Sequence, residues 1–238
     1  MRKTKIVCTL GRAGEEEATL TAMCRAGMNV ARLNFSHGVH EDHLRRIVMI
    51  RKVREKLGLP IAILLDTKGP EYRIKTFRDG KVTLKDGDRF TFTTDDVVGD
   101  DTKFSVNYRE LAHELEPGDT ILLSNGLLSF RVEEVEGADI HCTVLIGGEL
   151  SDRKSMSFPG KVLRQVYLNE QDKSDLAFGI ENGVDYVACS FVSCKQDLLD
   201  VREFMQAHGG SDIDLIAKIE NQSGVDNIEE ICSACDGI

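Results

Sequence analysis

Residues 28–38, MNVARLNFSHG, decide the fold, because a short apolar run here ends in a group of polar side chains. The run predicts a buried strand over Asn29–Phe35. Helical spacing with a glycine stop lies on either side of it, and further apolar runs lie beyond. The predicted elements are, in order, strand Lys5–Leu10, helix Glu15–Ala26, strand Asn29–Phe35, helix Glu41–Leu57 and strand Ile61–Leu65. A βαβαβ order predicts a parallel sheet covered by helices.

The pattern changes after Pro70. From about Arg73 to Phe158, short alternating segments are separated by turn signals, which predicts an all-β insert, a small barrel or sandwich. The α/β pattern then resumes with helix Asn169–Ile180, strand Tyr186–Phe191, a helix to about His208 opened by a Ser193-x-x-Gln196 capping box, strand Asp214–Ile219 and helix Val225–Ala234. Another strand would begin at residues 236–238. Five strands of a βα repeat are too few to close a barrel, which normally needs eight.

Composition excludes several classes of protein. The net charge of −10 argues against nucleic acid as the main partner, since phosphate backbones demand a basic surface. No apolar run approaches the ~18 residues of a membrane span, so no membrane association is expected. The seven cysteines are scattered and odd in number, which favours reduced thiols and a cytoplasmic location over a disulfide framework.

Candidate functional residues gather where the predicted barrel-type strands end. They are Arg32, Asn34, Ser36 and His37 after the second strand, Asp66, Thr67, Lys68 and Arg73 after the third, Ser190 and Phe191 after the fourth, and Lys218 and Glu220 after the fifth. The carboxyl ends of parallel strands share one edge, where functional residues gather in such folds. Cations and carboxylates at one rim suit an anionic substrate held through metal ions.

Each of these residues also has an ordinary structural interpretation. Arg32 could pair with a carboxylate at the sheet end, and some anionic partner is required for a guanidinium in a buried sheet. Asp66 could cap a helix or shape a turn. Lys218 and Glu220 could form a salt bridge at a strand end. The function is therefore carried by the whole set on one rim rather than by any single member.

Three nucleotide-binding motifs are absent from the sequence. There is no G-x-x-x-x-G-K-[ST] loop, no H-R-D or D-F-G segment of protein kinases, and no G-x-G-x-x-G after a strand. Their absence argues against a P-loop enzyme, a protein kinase and a dinucleotide-binding protein.

Five segments together resemble pyruvate kinase: KTKIVCTLG (3–11), MNVARLNFSHG (28–38), LLDTKGPEYR (64–73), LNEQDKSDLAFGIENGVDYVACSF (168–191) and IAKIENQSGVDNIEEI (216–231). The match runs in order along the chain. It implies a (β/α)8 barrel A domain with a β-rich B domain that is inserted after the third strand and closes over the active site. The implied fold class is α/β, a partial TIM (β/α)8 barrel with an inserted all-β domain. The implied domains are residues 1–70, the first part of the barrel; 71–158, the B-domain lid; and 159–238, the barrel continued and truncated before completion.

The resemblance also implies roles for individual residues. The catalytic residues would be Lys218, Arg32 and Arg73, and the substrate contacts Arg32, Lys218, Ser190 and Phe191. The nucleotide contacts would be Asn34, Phe35, Ser36, His37, Arg73 and Lys154. A potassium ion would take Asn34, Ser36, Asp66 and Thr67, and a magnesium ion would take Glu220.

The activity implied is phosphoryl transfer from phosphoenolpyruvate to ADP, giving pyruvate and ATP in the last step of glycolysis, with Mg²⁺ and K⁺ as cofactors. A homotetramer is implied for the complete enzyme.

Departures from the family pattern qualify these expectations. CTLGRAG, with Arg12 and Gly14, stands where CTLGPAS is typical, and Asp42 replaces an aromatic residue found near adenine in some members. Family members continue past residue 238 into an R-G-D-L-G segment whose aspartate is the second magnesium ligand. We therefore expect no detectable turnover from this segment alone. The alternative to an enzyme is a catalytically incompetent fragment, or a phosphate-binding interaction module, derived from pyruvate kinase. Reading the coding DNA past Ile238 would distinguish the two.

Overall fold

The computed structural model describes residues 3–11, 14–161 and 163–238. Within these ranges the strand and helix alternation predicted around Met28–Gly38 is confirmed. Arg12, one of the departures from the family pattern, lies outside the described residues. The first elements are β1 (Val7–Thr9), α1 (Glu17–Ala26), β2 (Val30–Asn34), α2 (His40–Leu57) and β3 (Ala62–Asp66).

An all-β segment with one four-residue helix follows β3. Its elements are β4 (Lys81–Leu84), β5 (Arg89–Thr93), β6 (Lys103–Ser105), α3 (Leu111–Glu114), β7 (Thr120–Leu123), β8 (Leu128–Glu136), β9 (Asp139–Ile146), β10 (Gly148–Ser151) and β11 (Met156–Ser157). Six of its strands form one sheet in the order β11-β7-β8-β9-β5-β6, and β10 pairs with β4. Alternating aromatic side chains give this segment a core of its own, formed around Phe90, Phe92, Phe104 and Phe130.

The α/β alternation then resumes and completes a five-stranded sheet. The remaining elements are α4 (Glu170–Glu181), β12 (Tyr186–Cys189), α5 (Lys195–Ala207), β13 (Asp214–Ala217), α6 (Gln222–Asp226) and α7 (Ile228–Cys232). The sheet has the order β1-β2-β3-β12-β13, and all its pairings are parallel. Gly237 forms a parallel bridge with Ile216, where the next strand was predicted to begin. The fold is therefore α/β, with part of a (β/α)8 barrel.

The chain divides into two compact units. One comprises residues 1–70 and 166–238, and the other comprises residues 71–165. The sequence interpretation had placed the second boundary after residue 158. None of the described helices combines the length and apolar character needed to span a bilayer.

One face of the five-stranded sheet packs against the helices. Ala31 and Leu33 of β2 are fully buried there, together with Ile63 and Leu65 of β3. Because side chains alternate along a strand, Arg32 lies on the opposite face. The strand that buries the core therefore also presents a cation on the other side of the sheet.

The predicted capping box of α5 is wrong by one residue. The N-cap is Cys194 rather than Ser193, and the third helical position is Asp197 rather than Gln196. Oδ2 of Asp197 accepts hydrogen bonds from the backbone amides of Ser193 (2.8 Å) and Cys194 (3.1 Å). A carboxylate that binds two amides is a stronger cap than a glutamine side chain, and this decides the position.

The single helix predicted over Val225–Ala234 is also wrong, because α6 and α7 meet at a break on Asn227. The side-chain amide of Asn227 donates to the carbonyl of Ser193 at 2.9 Å. Asn221 caps α6 by accepting from the amide of Gly224 at 2.7 Å. Contacts to a distant segment thus override the local helical spacing.

Candidate functional site

Asp66, the last residue of β3, lies at the centre of the rim. It is 1% exposed. Its Oδ2 accepts from Nε of Arg32 at 2.7 Å and also pairs with Nη2 of that residue. Its Oδ1 accepts from Nζ of Lys218 at 3.0 Å and lies 3.3 Å from Oγ of Ser190. One buried carboxylate therefore holds two cations, each from a different strand end.

The parallel register brings these side chains together. Asp66 pairs with Asn34 on one side and with Ala188 on the other, at corresponding levels of adjacent strands. Lys218 directly follows β13, and its amide donates to the carbonyl of Cys189 at 2.9 Å. The Arg32 and Lys218 side chains keep about 30% and 29% exposure. Both cations therefore keep an exposed part that an anionic ligand can reach.

Hydrogen bonds connect the segment after β3 to the end of β12. The amide of Ser190 donates to Oγ1 of Thr67 at 3.1 Å, and Oγ of Ser190 donates to the carbonyl of Thr67 at 2.6 Å. Nζ of Lys218 donates to Oγ of Ser190 at 2.8 Å. Gly69 has a φ of +66°, and a Cβ on it would come within 2.7 Å of the Ser190 carbonyl oxygen. This approach accordingly requires glycine.

A second carboxylate lies on the other side of Lys218. Oε1 of Glu220 is 3.5 Å from Nζ of Lys218, so the salt bridge considered from sequence is present. Oε2 of Glu220 accepts from the amide of Phe191 at 2.9 Å. Phe191 has a φ of +58°, a left-handed conformation that costs energy for a non-glycine residue and is often found at functional sites. The bond from Phe191 fixes the direction of the Glu220 carboxylate.

The turn after β2 carries the predicted nucleotide residues. Oδ1 of Asn34 accepts from the amide of Ser36 at 3.0 Å, and the amide of Phe35 donates to the Asp66 carbonyl at 3.0 Å. The carbonyl of His37 lies 3.0 Å from Nε2 of His43, whose ring stacks on Phe35 at 3.9 Å. The Phe35 amide thus connects this turn to β3, and the His43 imidazole packs against the turn.

Burial favours the neutral form of this imidazole. His43 is 1% exposed, and desolvation lowers the pKa of its ring below the ordinary value. A neutral ring that donates from Nε2 to the His37 carbonyl has the tautomer fixed by that bond.

The remaining predicted residues lie elsewhere. Lys68 is exposed beside the turn after β2. Arg73 and Lys154 belong to the second unit. Nε of Arg73 donates to Glu71 at 2.6 Å, and its Nη1 donates to the carbonyl of Arg153 at 2.5 Å. Lys154 is exposed, and its ammonium forms no ion pair with any described residue.

Sequence reasoning missed four residues of the rim and its support. Nη1 of Arg32 donates to Oγ1 of Thr9 at 2.6 Å, and Tyr167 donates to the Ser190 carbonyl at 2.8 Å. Thr9 ends β1, so the rule that found the other residues would have found it too. Asp172 and Asp175 of α4 are buried beneath the rim, and no pattern in the sequence separates them from ordinary helix residues.

The rim offers oxygen donors rather than a cluster of histidine, cysteine and carboxylate side chains. Among the described residues, no group of three or more histidine, cysteine, aspartate or glutamate side chains could enclose a metal ion. The available donors are instead amide, hydroxyl, carbonyl and carboxylate oxygens, which suit hard cations. Fold and rim together define an α/β protein with part of a barrel, whose strand ends place two partly exposed cations beside oxygen donors.

Comparison with known proteins identifies the family of this chain. The family model of the pyruvate kinase barrel domain matches residues 1–238, and the chain belongs to the pyruvate kinase family. It is 46% identical to the pyruvate kinase of Clostridium perfringens, over 100% of this chain and 50% of that protein. It is also 46% identical to the pyruvate kinases of Staphylococcus saprophyticus and Geobacillus stearothermophilus, over 100% of this chain and 41% of each. The chain thus spans half or less of these relatives.

Proposed function

We propose that this chain forms part of the active site of a pyruvate kinase, which transfers the phosphoryl group of phosphoenolpyruvate to ADP. The observation that carries the proposal is the buried Asp66 carboxylate holding Arg32 and Lys218 side by side at one rim. Family membership and the names of the relatives support it.

Phosphoryl transfer needs little covalent help from a protein. Its transition state is loose, with negative charge spread over the phosphoryl oxygens, so that positioning and charge neutralisation dominate catalysis. Arg32 and Lys218 would orient and neutralise the phosphoryl oxygens. When the phosphoryl group leaves phosphoenolpyruvate, an enolate remains, and the Lys218 ammonium would also stabilise that charge. A carboxylate that fixes both cations beforehand lowers the reorganisation required during the reaction.

The oxygen donors fit the cations proposed as cofactors. Asn34, Ser36, Asp66 and Thr67 offer the mixed oxygen set that suits K⁺, and the Asn34–Asp66 strand pairing brings the two pairs of donors to one level. Glu220 offers Mg²⁺ a single carboxylate, and Mg²⁺ commonly binds through one or two carboxylates plus substrate phosphates. When bound, these ions supply positive charge beside the phosphates.

The remaining proposed roles rest on the resemblance. Ser190 and Phe191 would lie against the substrate, and Asn34–His37 against the nucleotide. Arg73 and Lys154 are proposed as nucleotide contacts on the resemblance alone. A cytoplasmic location and a homotetramer of the complete enzyme are proposed on the same ground.

A coupled lactate dehydrogenase assay tests the proposal. It is run on the natural polypeptide that contains these residues and, in parallel, on the 238-residue chain, with phosphoenolpyruvate, ADP, Mg²⁺ and K⁺. We expect pyruvate formation by the natural polypeptide that depends on all four. Absence of turnover there, with the protein folded by circular dichroism, would contradict the proposal.

A further inference from the structure

The first two turns of α4 place two carboxylates beneath the rim. Asp172 and Asp175 are 3% and 2% exposed, whereas Glu170 of the same helix is 91% exposed at its side chain. Residues three apart on a helix share a face. Neither aspartate contacts an anion-binding side chain of the rim. Asp172 accepts from Gly69 and Asn169, and Asp175 contacts His40 and accepts from Gln171.

Asp172 holds the segment after β3. Its Oδ1 accepts from the amide of Gly69 at 3.3 Å, and its Oδ2 accepts from Nδ2 of Asn169 at 2.7 Å. Burial raises the pKa of this carboxyl, and the bond from Gly69 opposes that rise. Gly69 in turn lies directly against Ser190. Asp172 is therefore one bond away from the backbone that positions Thr67 and Ser190.

Asp175 holds the turn after β2 through an imidazole. Its Oδ1 lies 2.6 Å from Nε2 of His40, the first residue of α2. The His40 ring stacks on Phe178 at 4.4 Å, and Phe178 lies 5.9 Å from Phe35 within the turn. Side chains around this turn leave a pocket of about 420 Å³, lined by Phe35, His40 and Asp175 among others. Apolar packing alone therefore does not fix the turn.

The favourable interaction of an acidic side chain with the helix dipole does not require burial. Asn169, and neither aspartate, is the N-cap of α4, and buried ionised groups carry a large desolvation cost. Oδ2 of Asp175 is buried without a hydrogen-bond partner among the described residues, which is unusual for a native structure. A carboxylate accepts from N–H donors more strongly than an amide oxygen does, so it fixes their direction more firmly.

We propose that Asp172 and Asp175 are positioning residues for the proposed pyruvate kinase site, each acting on a different segment. Asp172 orients the Asp66–Gly69 segment, and Asp175, through His40, orients the Asn34–His37 turn. This inference rests on the proposed function for its kinetic consequences, but the contacts themselves do not depend on it.

The test compares Asp172→Asn and Asp175→Asn in the natural polypeptide, with Glu170→Gln as the control on the exposed face of the same helix. Asp175→Asn is expected to raise the KM for ADP and the ADP dissociation constant by about tenfold, with the KM for phosphoenolpyruvate unchanged, because small misplacements of positioning groups cost this much or more. Asp172→Asn is expected to lower kcat about tenfold, to raise the K⁺ concentration needed for half-maximal activity, and to leave the KM for ADP unchanged. Glu170→Gln should match the wild type.

Two readouts do not depend on turnover. Calorimetric titration with ADP measures binding in Asp175→Asn, and hydrogen exchange at the Gly69 amide should accelerate in Asp172→Asn alone.

Equal effects of both variants on every parameter, or no effect of either in an active enzyme, would overturn the positioning role. If either variant fails to fold, the corresponding glutamate variant keeps the carboxylate and shifts it by one methylene, and it must show the same selective effect. An inactive wild type would count against the proposed function instead, while the Gly69 exchange result would still decide the role of Asp172.

Discussion

The ammonium of Lys218 lies 3.0 Å from Oδ1 of Asp66, although 152 residues separate them in the chain. The other oxygen of the same carboxylate accepts from Arg32. The two cations thus keep their positions relative to each other through one buried group. Their spacing is a property of the sheet register rather than of the flexible side chains alone.

Replacing Lys218 with methionine should remove the charge proposed to stabilise the transferred phosphoryl group. We expect kcat to fall by at least ~10²–10³, the usual cost of losing one electrostatic donor. Mg²⁺ binding should remain, because Glu220 keeps its bond from the Phe191 amide. Lys173→Met is the matched control, since Glu170 is the one ion-pair partner of Lys173 among the described residues. Near-normal phosphoryl transfer by Lys218→Met would refute the assigned role.

Gly69→Ala should damage both stability and the site. The φ of +66° would cost an alanine about 1–2 kcal/mol, and its Cβ would clash with the Ser190 carbonyl for about 1–3 kcal/mol more. Gly58→Ala is the control, because Gly58 has a φ of +62° and open space around its Cα. That variant should lose only the stability that the left-handed backbone conformation costs an alanine. Urea unfolding of both variants measures the difference, and equal losses would show that the contact with Ser190 carries no cost.

Much of the fold follows from local signals in the sequence. Gly27 and Gly58 are the glycines that follow the helical spacing of α1 and α2, and both adopt the left-handed conformation at the helix ends. The break at Asn227 could not be found in this way. It depends on a bond to the Ser193 carbonyl, 34 residues away, and helical spacing over ten residues contains no information about that partner.

Part of the candidate site follows from one rule, that polar residues at the ends of parallel strands meet. The rule brought Arg32, Asp66 and Lys218 to one place, and the structure shows them in contact. It could not find Asp172 and Asp175. Acidic residues in the first turns of a helix are ordinary, because they favour the helix dipole. Only tertiary burial distinguishes these two from exposed Glu170.

The corrected cap of α5 makes a stability prediction. Asp197→Ala should lower the free energy of unfolding by about 1 kcal/mol, because two backbone amides lose their acceptor. Gln196→Ala should change it by less than about 0.5 kcal/mol, since the side chain of Gln196 donates an exposed hydrogen bond to Asp200 one turn along. Urea titrations of the two variants distinguish the caps. A larger loss for Gln196→Ala would restore the cap predicted from sequence.

The buried imidazole of His43 should make the protein sensitive to acid. Burial lowers its pKa in the folded state below the 6.5 of the unfolded chain, so below that pH the unfolded state binds more protons. The contribution of His43 to the free energy of unfolding is therefore fully present above pH 6.5 and is lost as the pH falls through the folded pKa.

His43→Gln removes this titration. The variant should be less stable than the wild type at neutral pH, because the stacking on Phe35 is lost. Its free energy of unfolding should then fall less steeply with acid. Urea titrations from about pH 8 to about pH 5 measure both slopes, and parallel curves would mean that His43 accepts a proton as readily in the folded chain as in the unfolded one.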